Sequence, residues 1–307
     1  MNLHVLIDTL PVYLASIIFW RNKLFRESLE SPPYEDILDS ITLKWPQVHG
    51  EGYYEVPART PIGELDPAFH LVRWMGKDYP TVIYHHGNNE RPFNRSLLAR
   101  NTFHDIFLSA GKLFPANLIL IRAPFHRSFR LYLEQMGRLS TFTTLMMVSV
   151  KMIEALRQYA AGKDTRIIVS GISLGGWVTN LHCALFNTAD TYIPLLAGIV
   201  PADVFTRSVY RNLTDRLALS NPAALENALN FEKCFSAGGN KVFPLLARYD
   251  QLIRFERQKT SYGNNIPVKV IEKGHVTGSA SSMELRRHIL DHLGSNPVKG
   301  IGKQDCL

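Results

Sequence analysis

Short apolar runs alternate with longer segments of helical periodicity along most of the chain. Thr81 to His86 is rich in β-branched residues and lies between Pro80 and Gly87, and Arg166 to Ser170 leads directly into a glycine-rich turn. Uninterrupted runs of this length are typical of strands that are buried on both faces. Strands that alternate with helices predict a mainly parallel sheet covered by helices. Further strands are predicted at 52–58, 69–75, 118–121, 193–200, 241–247 and 267–271.

The segments between these strands carry apolar residues on one side, as helices packed on a sheet do. Helices are predicted at 95–110, 141–161, 174–186 and 281–293. The first two stop at Gly111 and Gly162, and glycine is a common helix stop signal. The connection from Pro201 to Asn240 is long for a link between two strands and is helix-prone around 225–235. We expect this connection to form a cap over the site.

The first 50 residues differ in character from the rest. Val5 to Trp20 is mostly apolar, is short for a membrane span and contains Asp8 and Pro11. We expect an amphipathic helix packed on the body of the protein, with peripheral membrane contact through residues 5–20 as the alternative. The predicted organisation is an N-terminal helical extension at 1–50, a main domain at 51–294 with a cap inserted at about 201–240, and a C-terminal tail at 295–307.

Composition changes this picture little. The chain has 307 residues and is 46% hydrophobic and 20% charged, values near those of globular domains. The arginines behind its net charge of +7 are dispersed rather than gathered in a basic run, so we expect no nucleic-acid partner. Cys183, Cys234 and Cys306 are too few and too widely spaced for a disulfide framework or a zinc site. Reduced thiols favour a cytoplasmic protein, with membrane association as the alternative localisation.

The most informative motif is Gly171-Ile172-Ser173-Leu174-Gly175, which lies between a predicted strand and a predicted helix. A serine hydroxyl becomes an effective nucleophile when a base takes its proton and a sharp turn presents it clear of its own backbone. Such a turn crowds the flanking backbone, so glycine is needed on both sides of the serine. Ser173 is therefore the candidate nucleophile, and a turn that merely connects strand and helix is the structural alternative.

A general base and an acid are expected downstream of this serine. His275 follows the last predicted strand and precedes the last predicted helix, where a loop could place its imidazole over Ser173. Asp250 closes the preceding strand, so it would emerge at the same sheet edge and is the favoured partner of His275. Asp203, which follows an earlier strand, is the alternative acid.

Acyl transfer also needs N–H groups that stabilise the developing oxyanion. Leu174, the residue after the nucleophile, is expected to supply one of them. Asn88 is the candidate for the second, because it lies in the turn that follows the strand at 81–86. A polar turn with two solvated asparagines is the alternative interpretation.

In this order of motifs, residues 50 to 293 resemble the α/β-hydrolase superfamily. His86-Gly87 matches its oxyanion loop, the segment 171–175 its nucleophile elbow, and Asp250 and His275 its late acid and base. The resemblance implies a three-layer α/β fold, in which an eight-stranded, mostly parallel sheet has helices on both faces. It also implies a small-molecule acyl substrate and neither a metal nor an organic cofactor.

We therefore expect a serine hydrolase that cleaves a carboxylic ester through an acyl-enzyme intermediate. An acyltransferase, a thioesterase or a peptidase could use the same residues, and a non-catalytic binding protein could keep the same fold. These residues leave the length of the acyl chain and the oligomeric state open.

Overall fold

The computed structural model describes residues 2–94, 101–109, 114–235 and 241–294. Its strands form one sheet of eight strands and a separate, antiparallel sheet of three. In chain order the strands are β1 (Thr42–Leu43), β2 (Gly52–Glu55), β3 (Ala58–Thr60), β4 (Gly63–Leu65), β5 (Ala68–Arg73), β6 (Thr81–His85), β7 (Asn117–Arg122), β8 (Ile167–Ile172), β9 (Thr191–Leu195), β10 (Leu245–Ala247) and β11 (Lys269–Ile271). Strands β1, β3 and β4 make up the small sheet.

The order of the large sheet is β2-β5-β7-β6-β8-β9-β10-β11. Strand β5 is antiparallel to both of its neighbours, and the remaining pairs are parallel. Strand β6 lies between β7 and β8, so the chain leaves β6 on one side and later returns on the other. Ligands of open α/β sheets bind where the strand order reverses in this way, outside the carboxyl ends of the strands. The predicted eight-stranded, mostly parallel sheet is confirmed.

Helices cover both faces of the large sheet. They are α1 (Leu3–Ile18), α2 (Tyr34–Ser40), α3 (Phe129–Gln135), α4 (Leu139–Ala160), α5 (Leu174–Leu185), α6 (Ala202–Arg207), α7 (Arg216–Leu219), α8 (Pro222–Leu229), α9 (Phe255–Ser261), α10 (His275–Ser279) and α11 (Ser282–Asp291), with a π-helix at His104–Leu108 and a 3₁₀ helix at Val209–Leu213. Successive residues of β6 enter different cores, because side chains alternate across a sheet. Ile83 packs in the core that contains α4 and α5, whereas Val82 and Tyr84 pack in the core that contains α11. The predicted three-layer arrangement is confirmed.

Several element boundaries differ from those predicted. The strand predicted at 52–58 splits into β2 and β3, and β3 pairs in the small sheet. The strand predicted at 193–200 is β9, which ends at Leu195 because Leu196 has a φ of 50° that turns the chain out of the strand. Of the helix predicted at 95–110, residues 95–100 and 110 lie outside the described residues, and the π-helix occupies part of the remainder.

The N-terminal helices pack on the body of the protein through Val12 of α1 and Ile37 of α2, which belong to the larger core. The predicted cap contains α6, the 3₁₀ helix, α7 and α8, while its residues 236–240 and the predicted tail at 295–307 lie outside the described residues. Within the part of the chain that the structure describes, α4 alone is long and apolar enough to cross a membrane. Because 83% of its apolar window is buried inside the protein, this is weak evidence for a span.

Candidate active site

Ser173 lies in a tight turn at the carboxyl end of β8, immediately before α5. Its backbone has φ 55° and ψ −113°, a region that residues with a Cβ rarely adopt. A Cβ on Gly171 would overlap the carbonyl group of Gly175, and a Cβ on Gly175 would overlap the carbonyl group of His85. The turn is therefore held so closely against β6 that neither position accepts a larger residue without backbone movement.

Three side chains from distant parts of the sequence meet at this turn. The Nε2 atom of His275 lies 3.1 Å from the Oγ atom of Ser173, and the two residues are 102 positions apart. The Nδ1 atom of the same ring lies 2.7 Å from the Oδ2 atom of Asp250. Asp250 follows β10 and His275 begins α10 after β11, so the parallel pairing of β10 with β11 brings both to one edge of the sheet.

The carboxylate of Asp250 is almost completely buried. Its Oδ1 atom accepts the main-chain N–H groups of Leu252 at 2.8 Å and Ile253 at 2.7 Å, which leaves Oδ2 to face His275. Burial raises the pKa of Asp250, and the neighbouring His275 opposes that rise. Asp203, the alternative acid, instead forms an ion pair with Arg254, whose Nε atom lies 3.0 Å from Oδ2.

Comparisons with known proteins give structural matches only. No protein-family model and no curated protein sequence matches the chain. Acetyl xylan esterase 1 from Thermoanaerobacterium sp. JW/SL YS485 matches with a TM-score of 0.53 and 14% identity, over 86% of this chain and 96% of the esterase. The chain has the α/β-hydrolase fold.

Two further structures share the α/β-hydrolase fold with this chain at similarly low identity. An acetyl xylan esterase from Paenibacillus sp. R4 gives a TM-score of 0.50 at 11% identity, over 83% of this chain and 91% of the esterase. The acylaminoacyl peptidase of Pyrococcus horikoshii gives a TM-score of 0.52 at 15% identity, over 80% of this chain but 41% of the peptidase.

The turn after β6 lies beside the nucleophile turn, as the strand order of the α/β-hydrolase fold requires. Gly87, Asn88 and Asn89 line the same cleft as Ser173. The main-chain carbonyl of Asn88 lies 3.0 Å from Nε2 of the buried His126, which holds this turn in place. Leu174 is the first residue of α5, where main-chain N–H groups have no partner within their own helix. Of the two residues predicted as oxyanion donors, Asn88 therefore lines the cleft and Leu174 directly follows the candidate nucleophile.

The cleft itself is mostly apolar. Aromatic and aliphatic side chains from the cap, α3, α4, α5 and the loop after β10 line it beside Ser173 and His275: Tyr132, Phe142, Trp177, Val204, Phe205, Tyr210, Leu252 and Ile253. Its volume is about 80 Å³. The predicted cap therefore contributes Val204, Phe205 and Tyr210 to the wall of the candidate site.

Asp8 of α1 is a site residue that sequence reasoning missed. Its carboxylate is fully buried and accepts the main-chain N–H groups of Gln251 at 3.1 Å, His275 at 2.7 Å and Val276 at 2.9 Å. Gln251 directly follows the acid, Asp250, and His275 and Val276 are the first two residues of α10. The sequence carried one signal for this role, a single carboxylate within an apolar segment. Because a buried charge needs partners, such a carboxylate indicates contacts with polar groups elsewhere in the protein.

Proposed function

We propose that this chain is a serine hydrolase that cleaves a carboxylic ester through an acyl-enzyme intermediate. The observation that carries the proposal is the position of the His275 imidazole, whose nitrogens lie 3.1 Å from the Ser173 hydroxyl and 2.7 Å from the Asp250 carboxylate. Distances of this size allow a proton to pass from Ser173 to His275 while Asp250 stabilises the imidazolium ion. The α/β-hydrolase fold, which this chain shares with two acetyl xylan esterases, favours the same reaction class.

The first half of the reaction forms an ester on Ser173. A carboxylate can only accept a hydrogen bond, so Asp250 fixes the proton of the ring on Nδ1 and leaves Nε2 as the base. His275 takes the hydroxyl proton as Oγ attacks the acyl carbon, and it then gives that proton to the departing alkoxide. The bond from the acyl carbon to the alcohol oxygen breaks, and the alcohol leaves.

The second half repeats the steps with water. His275 removes a proton from water, the resulting hydroxide attacks the acyl carbon, and the proton returns to Oγ as the acid leaves. In both halves the negative charge develops on the former carbonyl oxygen, for which we assign the main-chain N–H groups of Leu174 and Asn88 as donors. The N-terminus of α5 adds a favourable dipole at this point.

The lining of the cleft favours an uncharged, short acyl group. Among the described residues that line the cleft, Glu90 carries the one carboxyl group. Its side chain is buried and accepts a hydrogen bond from the hydroxyl of Thr102 at 2.9 Å. A cleft volume of about 80 Å³ favours a small acyl group. We therefore assign acetyl to butyryl esters as the preferred class.

The test is hydrolysis of p-nitrophenyl acetate and butyrate by the purified chain, together with labelling by a fluorophosphonate probe. The Ser173→Ala variant is expected to lose at least about 10³-fold in kcat/KM and to lose labelling, because the nucleophile is gone. Ser40→Ala, which removes an exposed hydroxyl from α2, is the matched control and is expected to keep both. Hydrolysis and labelling that persist in Ser173→Ala would overturn the proposal.

The same assay separates the related reaction classes. With an added alcohol, a hydrolase releases mainly the free acid, whereas an acyltransferase releases mainly the new ester. Matched thioester and peptide-like amide substrates measure the thioesterase and peptidase alternatives. A folded wild-type chain that neither turns over these substrates nor is labelled would instead be a binding protein with the α/β-hydrolase fold.

A further inference from the structure

Helix α1 has two faces with opposite surroundings. The residues at positions 4, 8, 12, 15 and 19 contact the body of the protein or are buried in it. The other face, together with Trp20 just beyond the end of the helix, carries large apolar side chains that are exposed: Leu3, Leu6, Leu10, Tyr13, Leu14, Ile17, Ile18 and Trp20. These eight are more than half of the 15 exposed large hydrophobic side chains in the described residues.

Such a concentration of exposed apolar surface on one element marks an interaction site. Ile17 is 68% exposed and Trp20 62% exposed, although the same helix buries Asp8 completely. The helix spans 16 residues, about 24 Å, so the exposed stripe runs along several helical turns. Leucine, isoleucine and a terminal tryptophan on one face are typical of helices that lie in the plane of a bilayer surface.

Charge complements this composition. Asp8 is the single acidic residue between positions 2 and 23, and it is buried, so this region presents no carboxylate to its partner. Arg21 follows shortly after the helix and is exposed, with its guanidinium 4.8 Å from the centre of the Trp20 ring. Lys23 is half-buried instead and donates to the main-chain carbonyls of Ser16 and Asn212. The whole chain carries a net charge of +7. An exposed cation at the end of an apolar stripe matches the headgroups of anionic lipids.

From these observations we infer that the exposed face of α1 docks on an anionic lipid bilayer. Docking would place the bilayer beside the candidate active site, because α1 packs on α10 and on the 3₁₀ helix. The Nδ1 atom of His4 in α1 lies 2.8 Å from Oγ1 of Thr277 in α10. Helix α10 also supplies His275 and Val276 to the cleft. The 3₁₀ helix supplies Tyr210.

Binding is measured by co-sedimentation of the full chain with vesicles of phosphatidylcholine containing phosphatidylserine, and with phosphatidylcholine alone. We expect binding to the anionic vesicles that weakens in high salt. The double variant Leu10→Glu/Ile17→Glu is expected to lower the partition coefficient at least about tenfold, because two apolar side chains are lost and two negative charges approach anionic headgroups.

Met283→Glu/Leu290→Glu is the matched control, since it places the same charges seven residues apart at exposed apolar positions of α11. It is expected to bind as the wild type does. Both double variants are expected to melt at the wild-type temperature and to hydrolyse a water-soluble ester at the wild-type rate, so docking is tested independently of catalysis. Ser173→Ala is expected to bind vesicles normally.

A second measurement does not depend on the folding of these variants. Tryptophan fluorescence of the wild type is expected to shift to shorter wavelength on vesicle binding and to be quenched by brominated lipid, and Trp20→Phe is expected to remove most of both signals. Two outcomes would overturn the inference. One is wild-type protein that stays in the supernatant at every lipid concentration, and the other is a dimer that Leu10→Glu/Ile17→Glu dissociates in analytical ultracentrifugation without any vesicle binding.

Discussion

The carboxylate of Asp8 accepts the main-chain N–H of His275 at 2.7 Å, although 267 positions separate the two residues. The same carboxylate accepts N–H groups of Gln251 and Val276. Asp8 therefore ties the loop that follows Asp250 to the first residues of α10, which begins with His275. It does not touch the hydroxyl of Ser173, so we regard it as a positioning residue that acts through His275.

Replacing Asp8 is expected to lower kcat with little change in KM, because the imidazole loses its support while the cleft stays intact. Asp8→Ala leaves one buried and two partly buried N–H groups without their acceptor and is expected to reduce kcat about 100-fold. Asp8→Asn keeps one acceptor oxygen, so its kcat is expected to be about tenfold higher than that of Asp8→Ala. Steady-state kinetics with p-nitrophenyl butyrate measures both values.

The control for this series is Asp36→Asn, which neutralises an exposed carboxylate on α2. It is expected to leave kcat and KM unchanged. A fall in the melting temperature of Asp8→Ala with no change in kcat at a permissive temperature would show a purely structural role and would contradict the assignment.

Gly274 tests the same contact from the opposite side. Its φ of −90° suits any residue, but a Cβ would lie 2.8 Å from Oδ2 of Asp8. Gly274→Ala is therefore expected to displace the carboxylate and to lower kcat about tenfold. Combined with Asp8→Ala, the second substitution is expected to add almost nothing, and a double-mutant cycle measures this coupling. Fully additive losses would mean that Gly274→Ala acts elsewhere.

The sequence was most informative where the local chemistry dictates one solution. Strands β6 and β8 are short runs rich in β-branched residues with a glycine near the end of each, and the crowded turn at Ser173 requires the two glycines that the sequence shows. The common edge for Asp250 and His275 followed from their positions after consecutive parallel strands. These features depend on residues that are close along the chain or on the direction of the strands.

Features that depend on long-range packing could not be predicted. The role of Asp8 requires the contact between α1 and α10, which no periodicity indicates. The early end of β9 depends on the positive φ of Leu196, and leucine carries no signal for that conformation. The pairing of Asp203 with Arg254 likewise joins α6 to the loop before α9. Each is set by the assembled tertiary structure.

Phe205 is expected to limit the length of the acyl chain. Its ring is buried in the wall of the cleft and packs edge-on against Phe142, with centroids 5.4 Å apart. Phe205→Ala opens space at this wall and is expected to shift the ratio of kcat/KM for octanoate over butyrate esters upward by about tenfold, at a stability cost of about 3–5 kcal/mol. Phe231→Ala, at another buried phenylalanine of the cap segment, controls for the loss of stability. An unchanged ratio in Phe205→Ala would place the acyl group elsewhere.

His288 links stability to pH. Burial lowers its pKa to about 4, against the hydrogen bond with the carbonyl of Phe243. Between pH 6.5 and about 4 the unfolded chain therefore binds a proton that the folded chain does not, so stability falls as the pH falls. His288→Gln removes this titration and is expected to reduce the slope of unfolding free energy against pH by up to about 1.4 kcal/mol per pH unit.

Urea denaturation between pH 7.5 and pH 4.5 measures that slope. The exposed His49→Gln is the control for loss of an imidazole and is expected to follow the wild type. Identical slopes for His288→Gln and the wild type would show that His288 is not held neutral in the folded protein.

The convergence of Ser173, His275 and Asp250 is tested most directly by the rate at which a fluorophosphonate modifies Ser173, mapped by tandem mass spectrometry of the peptide. We expect modification of Ser173 in the wild type, a fall of about 10⁴-fold in rate for Asp250→Asn, and a change within about threefold for Asp203→Asn. Equal rates in Asp250→Asn and the wild type, or modification of another serine, would contradict the account.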